Sequence, residues 1–457
     1  MIGDRLAAIV GAGNYFAPEV IEPRYLEDET SGTSGQPAGL VRPASTEELS
    51  RIMAACNDVG QPVVVQGGRT GMTRAALPRD GELVISLERM NKITDVDPVA
   101  GTLVAGAGVP LEAAQQAAED AGLRLAVDIG SRGSCTIGGM IATNAGGTQV
   151  YRHGMMRDQV LGLEAVLADG TIISSMQPML KNNAGYDLKQ ILIGCEGTLG
   201  IVTKALLRLR PAASGYETAL CGLPSYDAVI ALLGVMERRC SGRLAAYEVM
   251  WRNFFDRTIA PGALPDPFDQ PHQFYVLVET EGFEDGILPT VLSLALEDGL
   301  IDDALVARSG LDRDRFWAYR DYVGEITRAM KIVEPFDVGA PLADLGRLVE
   351  RIEREFEDQL PGSRSVFFGH IADGNLHVAI ELPDEDQRIV SERIVYDAVR
   401  DIGGTVSAEH GIGMLKRDWL GHSRSAEEIA LMRRLRAAFD PKGILNPGRI
   451  FAQEDHS

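Results

Sequence analysis

The spacing of apolar positions changes several times along the chain, and each change marks an element. Residues 1–37 read as a short helix followed by a polar loop rich in Gly, Ser, Thr and Pro. Ser45-Thr46-Glu47-Glu48 then opens a helix with a hydroxyl cap and an acidic first turn, and Leu49, Ile52, Met53 and Cys56 share one face of it. Pro62-Val63-Val64-Val65 is a short apolar run of the buried-strand kind, ending in Gly67-Gly68-Arg69-Thr70-Gly71. Further strands are expected around Leu83–Leu87 and Thr102–Ala105, with a helix across 110–121. Val160–Ala168, the turn Asp169-Gly170 and Thr171-Ile172-Ile173 predict a hairpin. Leu192–Arg210 closes this first region, and Pro211 marks its boundary. Residues 212–365 carry longer amphipathic helices and isolated strands such as Phe274–Glu279, the texture of a separate α+β domain. Val366–Phe451 alternates strands, glycine turns and helices. No internal repeat is present.

At 457 residues the chain exceeds one ordinary core, so more than one domain is expected. The 50 glycines cluster in short runs, which suits tight turns and ligand loops. A net charge of −21 opposes nucleic acid and acidic membrane surfaces, so neither is expected as a partner. An enzyme this acidic needs a local cation cluster to hold an anionic substrate. Cys56, Cys135, Cys195, Cys221 and Cys240 are odd in number and form no CxxC pair, as in a reduced, cytoplasmic protein. The first residues carry no signal-peptide pattern, and no apolar stretch is long enough to span a bilayer, so an integral membrane protein is not expected.

Gly11-Ala12-Gly13-Asn14-Tyr15-Phe16 imitates a dinucleotide fingerprint, but Phe16 replaces the third glycine and Pro18 interrupts the helix that should follow. Gln66-Gly67-Gly68-Arg69-Thr70-Gly71 is more informative. It follows a buried strand directly, and its glycines let successive backbone N–H groups converge on an anion. The stretch Asp128–Gly147 is nearly free of bulky side chains, which suits a backbone lying against a flat ring system and a diphosphate.

Together with Ile193-Gly194-Cys195-Glu196-Gly197-Thr198-Leu199-Gly200-Ile201 and the tail Ile444-Leu445-Asn446-Pro447-Gly448, these segments resemble the vanillyl-alcohol-oxidase-type FAD-linked oxidoreductases, in the family's order. The resemblance spans nearly the whole chain and is nearest to the D-lactate, D-2-hydroxyglutarate and glycolate dehydrogenase branch. It implies an α+β fold: a two-subdomain FAD-binding domain (1–211), an α+β substrate or cap domain with a metal site (212–410), and a C-terminal segment (411–457) returning to the flavin. It implies FAD over Gly67, Gly68, Arg69, Thr70, Gly71 and Met72, with the flavin near Ser134, Cys135, Gly138, Gly139, Asn144 and Gly147. Glu196, Gly200 and Ile201 would border the adenosine side, and Asn446 would complete the site. Some relatives attach the flavin through a histidine in these loops. Here Thr136 stands where a histidine is common, so non-covalent FAD is expected.

His370, His377 and His410 lie in two glycine-flanked strings, Gly369–His377 and Ser407–Gly413. Centring a hairpin on Asp373-Gly374 pairs 370 with 377, and directly opposed residues share a face. Two imidazoles and a carboxylate leave open positions on a divalent ion, the pattern of a catalytic metal. The resemblance assigns the metal to His370, His377 and Glu409, and proton acceptance from the substrate to His410. Zn²⁺ suits this set, as do Mn²⁺ and Fe²⁺. The expected chemistry is oxidation of a small 2-hydroxy acid to a 2-oxo acid. The cation lowers the hydroxyl pKa, an imidazole takes the proton, and hydride leaves C2 for flavin N5. Arg320 stands where the family places a substrate-carboxylate anchor, and arginine supplies bidentate geometry.

Aligned with the D-2-hydroxyglutarate branch, the chain has Gly324, Pro335 and Ala379 where further polar substrate contacts are expected. D-lactate, glycolate or a bulkier apolar 2-hydroxy acid therefore stay open as substrates, with Lys331 or Arg328 available as a second cation. Two other functions remain: an O₂-using oxidase or glycolate-oxidase-type subunit of this fold, and a non-catalytic flavin carrier. The family suggests an electron-transfer flavoprotein or a quinone as electron acceptor, and a homodimer is compatible with it.

Overall fold

The computed structural model describes residues 2–30, 32–240, 242–282 and 286–452. The chain divides into two units: residues 1–147, 154–212 and 409–457 form the first, and 148–153 with 213–408 form the second.

In the first unit a four-stranded sheet runs in the order Tyr15–Phe16, Gly39–Val41, Leu83–Ser86, Val63–Gln66. The last three strands are parallel. The helix Thr46–Val59 begins as its sequence predicts, with Ser45 Oγ accepting from Glu48 N at 3.2 Å and Gly60 closing it at φ +70°. Its apolar face (Leu49, Ile52, Met53, Cys56) is buried with Val63, Leu83 and Ile85, so the sequence periodicity and the core agree. A five-stranded antiparallel sheet follows, in the order Ile93–Asp97, Thr102–Gly106, Ile201–Arg208, Val160–Val166, Ile172–Ser175. The expected Asp169-Gly170 hairpin forms, with Val166 opposite Ile172 and Gly170 at φ +88°. The false fingerprint at Gly11 is a turn after the helix Ile2–Val10, leading into a short 3-10 segment.

The C-terminal tail is held within this unit. Val63 bridges Leu445, and Val63 N donates to Ile444 O at 2.8 Å. Arg449 is fully buried; it pairs with Glu82 and donates to Leu77 O at 2.6 Å and Pro447 O at 2.8 Å. A buried guanidinium is tolerated only when its donors are met in this way.

The second unit is built on a seven-stranded sheet in the order Asp303–Val306, Tyr216–Leu223, Phe274–Glu281, Leu244–Trp251, Arg364–His370, Asn375–Glu381, Val333–Gly339. Every pairing in it is antiparallel. One face carries an aromatic-rich core in which Met250, Leu277, Leu220, Phe368 and Ala379 pack against Phe254, Phe255, Tyr319, Ile326 and Met330. The helices Arg252–Thr258, Gly310–Asp321 and Val323–Ala329 supply that covering layer. Residues directly opposed across strands point to one face. Thr218 opposes Glu279, Glu248 opposes His370, and Asp337 opposes His377. Polar side chains thus run across neighbouring strands beside the apolar core.

Candidate functional site

In the first unit the four motifs singled out by sequence meet. A Cβ on Gly68 would lie 2.0 Å from Ser134 O, and one on Gly67 would lie 2.4 Å from Thr136 Oγ1. The two glycine loops therefore touch through backbone, at a separation only glycine allows. Gly138 and Gly147 are equally confined, by Ala107 Cβ at 2.6 Å and Asp128 O at 1.9 Å, and Gly147 is at φ +116°. The Ile193–Ile201 turn is tied to the helix Ile137–Thr143 by Gly194 N to Ile141 O at 3.0 Å and Glu196 N to Ala142 O at 2.8 Å. Asn446 closes the group: its Oδ1 accepts from Val65 N at 3.0 Å and its Nδ2 donates to Glu196 O at 2.7 Å.

The residues expected beside FAD use their side chains differently. Thr136 Oγ1 and Gln66 Oε1 are buried with no hydrogen-bond partner among the described residues, as expected where a polar ligand is to be received. Arg69 adopts φ +60° and stacks its guanidinium 5.4 Å from the Tyr25 ring. Asn144 is at φ +52°, and its Oδ1 accepts from Arg157 N at 2.9 Å. Cys135 belongs to the apolar core, where burial pushes its thiol pKa up, and Ile201 is likewise buried in core. A Cβ on Gly200 would meet Leu192 Cδ2 at 3.1 Å. Thr70, Gly71 and Met72 lie in the first glycine loop and Gly139 in the helix Ile137–Thr143, all half-buried.

Glu196 and Asn446 spend their side chains inside the protein. The Glu196 carboxylate accepts from Ile412 N at 2.7 Å and Gly413 N at 2.8 Å. Burial pushes its pKa up, against the lowering effect of those two donors. Met414 N donates to Thr73 O at 2.9 Å, so the loop after His410 is clamped on both sides. Glu409 Oε1 accepts from Gly147 N at 2.8 Å, and Glu409 and His410 are both half-buried.

In the second unit the histidine register differs from the expectation. Phe368, not His370, opposes His377, because residues 371–373 form a 3-10 turn ending in Gly374 at φ +83° instead of a two-residue hairpin. The slip is two residues. A shift of two preserves the face, whereas a shift of one would invert it. His370 and His377 therefore remain diagonal neighbours, with ring centroids 5.3 Å apart at 85°.

Each imidazole has a carboxylate behind its Nδ1. Glu248 Oε1 lies 2.6 Å from His370 Nδ1, and Asp337 Oδ1 lies 4.0 Å from His377 Nδ1. Asp337 also accepts from Asn375 Nδ2 at 2.8 Å and from Ser407 Oγ at 3.4 Å. Thr405 N donates to Gly339 O at 2.8 Å, so the chain leading to Ala408 is laid along the same sheet edge. Burial pushes the Glu248 carboxyl up, but the charges and hydrogen bonds of His370 and Arg320 prevail and hold it below its usual range.

Arg320, expected as a carboxylate anchor, is buried and already holds one carboxylate. Its Nε donates to Glu248 Oε2 at 2.7 Å, and its Cζ lies 4.6 Å from the Phe368 ring centroid. The helix that carries it is fixed by Glu279, which accepts from Arg313 Nε at 2.7 Å, Arg313 Nη2 at 2.9 Å, Trp317 Nε1 at 3.1 Å and Thr218 Oγ1 at 2.7 Å. Arg328 is largely exposed and pairs with Glu325 at 2.6 Å. Glu248, Asp337 and Glu279 lie outside the motifs that the sequence singles out as site residues. For Glu248 a signal is present in the sequence: it is a lone carboxylate inside an otherwise apolar strand, where an unpaired charge is rarely tolerated.

Residues 214–450 match the model of the FAD linked oxidases, C-terminal domain, and residues 37–175 match an FAD binding domain. The chain belongs to the FAD-linked oxidase family. It is a flavoprotein and an FAD-linked dehydrogenase. It is 36% identical over 443 residues to a D-2-hydroxyglutarate dehydrogenase of Xanthomonas citri pv. viticola, covering 94% of this chain and 93% of that one. A protein of the same name from Stutzerimonas stutzeri is 34% identical, covering 98% of each chain. A D-2-hydroxyglutarate–pyruvate transhydrogenase of Saccharomyces cerevisiae is 36% identical, covering 95% of this chain and 90% of that one. Among solved structures, p-cresol methylhydroxylase shares the fold at a TM-score of 0.77 and 15% identity, covering 100% of this chain and 97% of that one. This is the vanillyl-alcohol-oxidase-type fold expected from the motifs. Among the described residues no helix is long and apolar enough to cross a membrane.

Proposed function

We propose that the protein oxidises a D-2-hydroxy acid to the 2-oxo acid, with FAD held non-covalently and a divalent cation held by His370, His377 and Glu409. These three offer two imidazole nitrogens and a carboxylate oxygen. The reading is carried by the two neighbouring imidazoles: Glu248 is hydrogen-bonded at His370 Nδ1, which leaves Nε2 as its ligating nitrogen, while Asp337 lies 4.0 Å from His377 Nδ1, outside hydrogen-bond range. When bound, the cation supplies Lewis acidity toward the hydroxyl, and FAD supplies a two-electron acceptor. His410 takes the hydroxyl proton as a neutral imidazole. Arg320 has its Nε edge on Glu248, so its Nη edge is the one presented to the substrate carboxylate. Non-covalent attachment rests on Thr136 and the absence of histidine from both glycine loops.

D-2-hydroxyglutarate, named in the relatives, and D-lactate are the first acids to try. Ala379 sits two residues from His377 within the aromatic cluster, which favours acids with an apolar tail as well. The test is anaerobic bleaching of the bound flavin by D- and L-2-hydroxy acids, with and without a chelator. D-acids should bleach it, the chelator should slow them, and His410→Asn should lose on the order of 10²–10⁴ in rate. Bleaching by His410→Asn at the wild-type rate sinks the base assignment. Indifference to every 2-hydroxy acid sinks the function and leaves the flavin-carrier alternative.

A further inference from the structure

Glu248 is 1% exposed and sits in the middle of a fully buried strand, Leu244–Trp251. An ionised carboxylate there needs partners, and it has two: His370 Nδ1 at 2.6 Å on Oε1 and Arg320 Nε at 2.7 Å on Oε2. One oxygen serves each partner, so a single rigid group fixes two side chains that the proposed function uses for different tasks.

The effect on each is directional. With Nδ1–H donated to Glu248, the His370 lone pair is on Nε2 and the ring plane is set. With Nε–H donated to the same carboxylate and the guanidinium lying on Phe368, the Arg320 plane is set as well. Neither side chain can rotate without breaking a charge-assisted hydrogen bond in a buried site. The cross-strand pairing of Glu248 with His370 places the carboxylate on the histidine face, so the backbone itself enforces the arrangement.

We propose that Glu248 is the positioning residue that joins the metal-binding imidazole of His370 to the carboxylate-binding guanidinium of Arg320, setting the span that a 2-hydroxy acid must bridge. This rests on the function proposed above. Glutamine at this position keeps the volume but turns one acceptor into a donor, so at most one of the two links survives.

The test uses the FAD-loaded protein and compares wild type with Glu248→Gln in three measurements: thermal melting, Zn²⁺ and Mn²⁺ affinity by competition with a chromogenic chelator, and the separate kcat and KM for the acid that bleaches the flavin. The expected result is metal affinity weakened by on the order of 10–100-fold in a protein that still melts cooperatively, with a raised KM. A carboxylate that merely holds the sheet together would lower the melting temperature and leave the metal affinity of the folded protein unchanged, and that result overturns the proposal. If Glu248→Gln does not fold, Glu248→Asp keeps the charge but withdraws it by one methylene, and weakened metal binding is expected again. If wild type itself takes up neither cation, the proposed metal site falls and this inference with it. Wild type and variant binding equally defeats the inference alone.

Discussion

At the scale of single residues, the molecule separates side chains that meet a ligand from backbone that makes room for one. Gly67, Gly68, Gly138 and Gly147 belong to the second kind, since the nearest atoms to a built Cβ lie between 1.9 and 2.6 Å. The consequence is sharp at Gly68, where the obstacle is the Ser134 carbonyl and not a flexible side chain. Gly68→Ala must push the two loops apart, so the purified protein should lose most of its flavin absorbance relative to the protein band. Full flavin occupancy in that variant would show that the loop contact is not what shapes the cradle. These glycines were legible from sequence because glycine has few reasons to cluster after a buried strand. The tasks of Glu196 and Asn446 were not legible. Motif position put them beside the cofactor, whereas the folded chain spends one on the backbone of Ile412 and Gly413 and the other on Val65 and Glu196.

At the scale of elements, pattern and fold agree where a cap and an apolar stripe coincide, as at Thr46–Val59. The histidine hairpin keeps the expected face and departs from the expected register. Asp-Gly predicts a tight turn, but the chain inserts a 3-10 turn at Ile371–Asp373, moving the partner of His377 from His370 to Phe368. Because side chains alternate with a period of two, the shared face survived. The helix Gly310–Asp321 shows how an element is aimed. Its N-cap is Ser309, and its inner side is anchored by Glu279 through Arg313 and Trp317, about two turns and one turn before Arg320. Glu279→Gln should weaken this anchor by about 2 kcal/mol, since hydrogen bonds to charged groups contribute roughly 1.5–3 kcal/mol each and Arg313 is partly solvated. A fall of about 4–8 °C in melting temperature is the expected readout. An unchanged melt would mean that apolar packing alone docks the helix.

At the scale of the whole molecule, the net charge of −21 sets a field that an anionic substrate must enter. Raising ionic strength from about 0.01 to 0.15 M shortens the screening length from roughly 30 to 8 Å. The expected outcome is a rise in kcat/KM for a 2-hydroxy acid over that range, with kcat nearly constant. A fall would mean that the local cations around Arg320 dominate the encounter.

The FAD loops, the two histidine strings and the alternation that puts both imidazoles on one face follow from residue order alone. These features depend on residue type at short range, where glycine, hydroxyl caps and strand periodicity act within a few residues. Which carboxylate stands behind each imidazole, and what Arg320 is bound to, depends on strands far apart in sequence being brought side by side. Glu248 is 122 residues from His370 and 72 from Arg320 along the chain. Pairings of that separation arise from sheet order, and a buried charge is stable only where that order brings its partners to it.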